Sequence, residues 1–235
     1  MSAGDLERAA KDLFGRCMAK FDDAALSMDF RAFSLSIVTS QIRQGNAAVR
    51  AYLPEICRRL EDPAVLAQPV TGTGAVEFHR QIVDAVGVVF DSGSENYSGG
   101  GDWLASVVRY LVDLVSCRDV EIASRACQFL ADYSGVSVNI GASSRRQWMT
   151  VVKPSPLPKL LTALMDRMIL REDTASADTL CRRSADALES IAGVYPVEQV
   201  CATCKPLLET RIESDSWWEK EAAIRALGAL TNGGQ

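Results

Sequence analysis

Cys201-Ala202-Thr203-Cys204 is the stretch of this sequence whose spacing comes closest to a metal or redox site. A tetrahedral zinc site needs four ligands, and no second cysteine pair or histidine pair stands within reach of this one. Thiol redox chemistry needs the motif at a helix start beside a strand, and here it falls inside a helical pattern, so it reads as helix packing. His79 is the single histidine, and no nucleophile motif surrounds it, so a Ser-His-Asp or Cys-His arrangement has one candidate base and nothing to activate. It reads as a half-buried structural histidine. Glu209 with Glu213 and Glu219 with Glu221 have the spacing of solvated helical charge. Acid–base chemistry would need a pocket holding both carboxylates of a pair. Ser98-Gly99-Gly100-Gly101 lacks the preceding strand and the phosphate-cradling spacing of a nucleotide loop and reads as a linker. The tandem Trp217-Trp218 reads as core or inter-repeat packing. These residues predict no catalytic group, no metal and no cofactor; the chain is expected to act by binding and not as an enzyme.

The elements that must carry these residues are helices. Of 235 residues, 48% are hydrophobic and 23% charged, the balance of a chain that folds. A net charge of −5 without clustered Lys and Arg disfavours direct nucleic-acid binding. No run of about 18 apolar residues is free of charge, which predicts no membrane insertion, and Met1–Asp12 carries acids where a signal peptide needs a basic start. The expectation is an intracellular protein. Seven cysteines, an odd set on apolar helical positions, read as reduced buried thiols, leaving the Asn96-Tyr97-Ser98 sequon inert.

Apolar residues recur three and four apart through most of the chain, the spacing of one helical face. Ile122, Ala123, Ala126, Cys127 and Leu130 form one such stripe. Leu180, Cys181, Ser184, Ala185, Leu188 and Ile191 form a second, and Trp218, Ala222, Ala223, Ala226, Leu227 and Leu230 a third. Aligned with two earlier helices on a central apolar position, they give Val38, Val83, Cys127, Ala185 and Ala223. Two of the intervals between these positions fall within the about 40–47 residues of a HEAT or armadillo unit; the third is longer and the last shorter, as an insertion and a short link would make them. Partner helices at Leu6–Phe21, Val49–Leu60, Trp103–Val115, Leu157–Leu170 and Val197–Ile212 precede them, so each unit is an A helix followed by a B helix. The predicted fold is all-α: one α-solenoid array over 1–235 with five helix pairs, roughly 5–44, 46–91, 102–134, 156–194 and 196–232.

Asp119 and Asp215 sit where acidic N-caps would open B helices, and Pro206 should kink its helix. Glu61–Gly74, Asp91–Gly101 and Gly135–Pro156 read as loops.

The segment Cys181-Arg-Arg-Ser-Ala185-Asp-Ala-Leu188-Glu-Ser-Ile191-Ala-Gly-Val-Tyr195, then Pro206-Leu-Leu208, then Trp217-Trp-Glu-Lys220-Glu-Ala-Ala-Ile224-Arg-Ala-Leu227-Gly-Ala-Leu230-Thr-Asn-Gly-Gly234, resembles the central HEAT repeats of the karyopherin-β (importin-β) superfamily, closest to its transportin (karyopherin-β2) branch. Leu157–Met168 and Ala126–Phe129 extend the likeness upstream, to about Val120. The resemblance implies part of a nuclear import receptor, found in cytoplasm and nucleus. Its B helices would hold the localisation signal of a protein cargo, and Ran GTPase would release that cargo in the full-length receptor. Family members are several times longer, so the chain is expected to be a fragment or a reduced relative. The transportin branch also carries a long acidic loop where only Arg171–Asp178 joins the two helices here, which argues against loop-driven release.

Carried over residue by residue, the resemblance places Ala185, Asp186 and Glu189 in a cargo groove. The small residue admits an extended peptide and the acids attract basic side chains. The matching position on the next B helix is apolar in the family and is Arg225 here, set to repel a basic peptide or to pair with Glu189. The alternative expectation is a HEAT scaffold subunit that assembles a protein complex. Fold alone does not separate the two.

Overall fold

The computed structural model describes residues 3–45, 50–60, 62–68, 70–92, 102–140, 144–153, 155–169 and 175–233. The Asn96 sequon, Ser98–Gly101, Val49 and the first four residues of the Arg171–Asp178 link lie outside them. The chain is an all-α helical-repeat protein in two compact units, Met1–Ser106 and Val107–Gln235.

In the first unit, α1 (Ala3–Asp22) and α2 (Met28–Arg43) form an antiparallel pair. Ser27 ends the turn between them: its hydroxyl accepts from Phe30 N, satisfying one of the amides that every helix start leaves without an internal partner. Arg31 closes the pair, its Nε donating to Phe21 O at 2.7 Å while its guanidinium lies 4.8 Å from the Phe78 ring centroid, within the range of a cation–π contact. Phe78 belongs to α5 (Ala75–Asp91), the second B helix, in which every residue from Gln81 to Phe90 is buried. Helices α2 and α5 run parallel. Asp29 at the start of one meets Gly74 at the start of the other, and Arg43 near the end of α2 reaches Asp84 O at 3.4 Å. Gly74 is a required glycine: its φ is +78°, and a Cβ there would stand 2.8 Å from Asp29 N, an approach and a conformation open only to a residue without a side chain. The A helix between them, α3 (Leu53–Leu60), buries Leu53, Ile56, Cys57 and Leu60 at helical spacing. The stretch Glu61–Gly74 is not all loop. Asp62 accepts from Ala64 N and Pro63 occupies the first position of a helical turn, α4 (Pro63–Leu66), an N-terminal pattern that outweighs the prolines and glycine of the stretch.

The second unit follows from within α6 (Asp102–Ser116). Asp119 caps α7 (Val120–Tyr133), accepting from Glu121 N and Ile122 N at 3.0 Å each. The Gly135–Pro156 stretch, expected as loop, holds an antiparallel hairpin, β1 (Ser137–Ile140) with β2 (Ser144–Gln147), and a helical turn, α8 (Trp148–Val151). Val136, Val138 and Ile140 alternate in the sequence as a strand requires, and a fully buried indole anchors the excursion. Trp148 Nε1 donates to Tyr133 O at 2.7 Å, and Tyr195 OH donates to Met149 O at 2.8 Å.

Helices α9 (Leu157–Arg167) and α10 (Ala175–Ala192) form the next pair, and α11 (Val197–Glu213) and α12 (Trp217–Gly233) the last. Lys220 N donates to Ser216 O, so Ser216 occupies the cap position of α12 and Asp215 lies one residue outside it. The hydroxyl of Ser214, accepting from Ser216 N, fixes that shift.

Candidate protein-binding face on the B helices

Three B helices of the second unit, α7, α10 and α12, pack side by side and parallel. Arg183 Nη1 donates to Ser124 Oγ at 2.9 Å, Cys127 Sγ lies 3.5 Å from Ser184 Oγ, and Ser190 Oγ donates to Ala131 O at 3.0 Å, so α7 and α10 advance together. Between α10 and α12 the contact is closer still. A Cβ on Gly233 would be 3.0 Å from Ala192 Cβ, and one on Gly193 would be 3.3 Å from Gly233 O. Small residues at these crossings, with Ala187, Ala222, Ala223, Ala226 and Ala229 buried beside them, let the helices approach.

At about 100° per residue, the side of each helix turned away from this packing is polar, except for exposed Trp218, which shares the face of Glu221 and Arg225 on α12. On α7 it carries Glu121, Arg125, Gln128 and Asp132; on α10, Asp178, Arg182, Asp186 and Glu189; on α12, Glu221 and Arg225. None of these is buried. The carboxylates outnumber the guanidiniums, so the surface potential favours a cationic partner. A shallow cleft of about 510 Å³ opens at one end, between the starts of α7 and α10, lined by Asp119, Glu121, Ser124, Thr179 and Arg183 among others.

Asp186 is exposed and Glu189 half-exposed, and neither carboxylate forms an ion pair among the described residues. Ala185 is also half-exposed. The buried position of its turn is taken by Ser184, which donates to Leu180 O at 2.7 Å beside the Cys127 thiol. Arg225 pairs not with Glu189 but with Glu221, at 2.7 Å within its own helix. An acid four residues back is already within reach, whereas Glu189 sits on another helix. The hydrogen bond that Arg225 donates to Glu221 is the main cause of the rise in the Arg225 pKa. Asp186, Glu189 and Arg225, singled out from the sequence, lie on this side of their helices with Ala185 beside them; the other residues were not singled out for it. The signal was there: polar residues at three- and four-residue spacing opposite the apolar stripes.

The other chemistry-bearing residues are scattered. His79 is fully buried against the edge of Phe78 in the first unit. Cys201 is exposed and Cys204, one turn on along α11, is buried. No group of three potential metal ligands gathers among the described residues, and no described helix is long and apolar enough to cross a membrane. Trp217 and Trp218, expected in packing, are both exposed, because the buried face of α12 is made by alanines and leaves no room for an indole.

No family model matches the chain, and no curated protein matches it. Among solved structures it is similar to a designed armadillo repeat protein, at 15% identity over 92% of this chain and 98% of that one, with a TM-score of 0.36. An engineered protein from the Northeast Structural Genomics Consortium is similar at 17% identity over 98% of this chain and 99% of that one, with a TM-score of 0.39.

Proposed function

We propose that the polar face of α7, α10 and α12 binds extended, lysine- and arginine-rich segments of other proteins, as part of a nuclear import receptor of the karyopherin-β type. The observation that carries this reading is the pair of unneutralised carboxylates, Asp186 and Glu189, beside half-exposed Ala185 on one turn of α10. A side chain no larger than a methyl lets an extended backbone approach the helix, and the flanking acids set the sign of the side chains that fit. The segments Cys181–Tyr195 and Trp217–Gly234, which resemble the transportin branch, support the receptor assignment. They make the cargo a protein bearing a localisation signal and Ran GTPase the second partner in the full-length receptor. Cytoplasm and nucleus are the compartments that follow.

Arg225 restrains the affinity. Its charge is offset by Glu221 and so repels a basic peptide less than a bare guanidinium would. Capture of proteins by the full-length product from a cell extract, with and without Ran-GTP, tests the assignment. Bound proteins rich in basic segments and released by Ran-GTP support it; the same partners held regardless of Ran-GTP point to the scaffold alternative.

A further inference from the structure

The arginines of the second unit's B helices stand at one level. Arg183 on α10 donates to Ser124 on α7, and Arg125 follows Ser124 by one residue, so these two arginines lie abreast. On α12, Arg225 lies beside Cys181: burial raises that thiol's pKa, and the Arg225 charge opposes the rise. Arg182, between Cys181 and Arg183 in the chain, is exposed and forms no ion pair among the described residues. The guanidiniums thus make a band that runs across the three helices. Asp186 begins a second band, of opposite sign, one turn further along α10, about 6 Å away at a rise of about 1.5 Å per residue. Glu189 continues it on α10, and on α7 Asp132 does, one residue past Ala131, which accepts from Ser190. An acid and a base one turn apart are within reach of each other, yet Arg182 and Asp186 do not pair, and both charges stay open to a ligand.

From these two bands we infer that the segment this face takes is one in which basic and acidic side chains alternate, lying across the three helices between the guanidiniums and the carboxylates. The inference rests on the binding reading above and narrows it. Parallel helices pack about 8–10 Å apart, so a segment crossing three of them spans roughly 20 Å, about six extended residues. Successive side chains of an extended chain point to opposite sides. Those on one edge fall over Asp132, Asp186 and Glu189 and must be basic; those on the other fall over Arg125, Arg182 and Arg225 and must be acidic. An unbroken basic run satisfies the first edge and sets like charges against the second, a juxtaposition that costs affinity. Arg182 governs this discrimination, because Arg225 is already offset by Glu221 and Arg183 is held by Ser124.

Fluorescence anisotropy of the whole chain at low salt, where screening is least, tests this with peptides of equal length: one alternating Lys and Glu, one with its lysines in a block ahead of as many glutamates, and one all lysine. The first two share composition and net charge, so only order separates them. The alternating peptide is expected to bind about tenfold more tightly than the block peptide, the sum of two or three exposed pairs. Arg182→Glu should weaken the alternating peptide by about the same factor and strengthen the all-lysine one, opposite shifts that a damaged fold would not produce. An alternating peptide bound no better than the block peptide, with the all-lysine peptide still bound, overturns this inference and leaves the basic-segment reading standing. So does an Arg182→Glu variant that shifts both peptides alike. A chain that binds none of the three overturns the inference and that reading together.

Discussion

Arg225 and Glu221 stand 2.7 Å apart on adjacent turns of α12, the outer of the three helices of a face where carboxylates are otherwise in excess. The pair removes one negative and one positive charge from the surface a basic segment would meet. Both side chains are partly exposed, and solvent screening holds the contribution of such a pair to about 0.3–0.5 kcal/mol of stability.

Arg225→Leu should therefore cost little stability and free the Glu221 carboxylate. Affinity for a lysine-rich peptide is expected to rise severalfold at low ionic strength, and the gain should shrink as salt screens the face. Fluorescence anisotropy at two salt concentrations checks this; a weaker peptide complex would show that Arg225 contributes to binding.

Gly74→Ala should destabilise the first unit by about 2–3 kcal/mol, the sum of a strained backbone and a steric clash. The residue has φ +78°, and its Cβ would press on the Asp29 backbone, which cannot rotate away. Urea denaturation measures the loss, and a change under about 0.5 kcal/mol would contradict this account of how α2 meets α5.

Much of the architecture was legible because it rests on local pattern. Val38, Val83, Cys127 and Ala223, chosen by spacing, are buried on B helices, and Asp119 caps the helix it precedes. What failed depended on contacts between elements. Ala185 and Ser184 are adjacent small residues, and which of them faces Cys127 is decided by how α10 rotates against α7. The hairpin after Gly135 has short strands, in which alternation does not stand out from the surrounding turn residues, and its anchor, Trp148, finds its acceptor far back in the chain at Tyr133. The uncovered tryptophans of α12 went unread for the same reason: spacing places a residue on a face but does not say what covers that face.

The hairpin anchor can be graded. Trp148→Ala should cost about 3–5 kcal/mol, the scale of an emptied aromatic site. Tyr195→Phe should cost about 1–2 kcal/mol, because it removes the hydrogen bonds to Met149 O and to the Ser155 side chain and leaves Met149 O buried. Equal costs for the two variants would contradict the separate roles assigned to them.

Thiol reactivity should divide the cysteines sharply. Burial pushes the Cys127 and Cys204 thiols up to about 11, so under mildly alkaline conditions both remain protonated, and the attacking thiolate forms only as the pH nears that value or the chain unfolds. Cys201 is exposed. Maleimide labelling followed by peptide mass spectrometry should find Cys201 modified first on the native protein. Early modification of Cys127 would contradict the packing between α7 and α10.

The central claim is that the carboxylates of α10 recognise basic peptide. Its most direct test is the affinity of a lysine-rich localisation peptide for the protein carrying Asp186→Lys and Glu189→Lys, titrated at low salt beside the wild type. Both residues lie at the surface, so stability should change by less than about 1 kcal/mol. The predicted result is a loss of peptide affinity of about tenfold or more with an unchanged melting curve; equal affinity for the two proteins would remove these residues from any binding site.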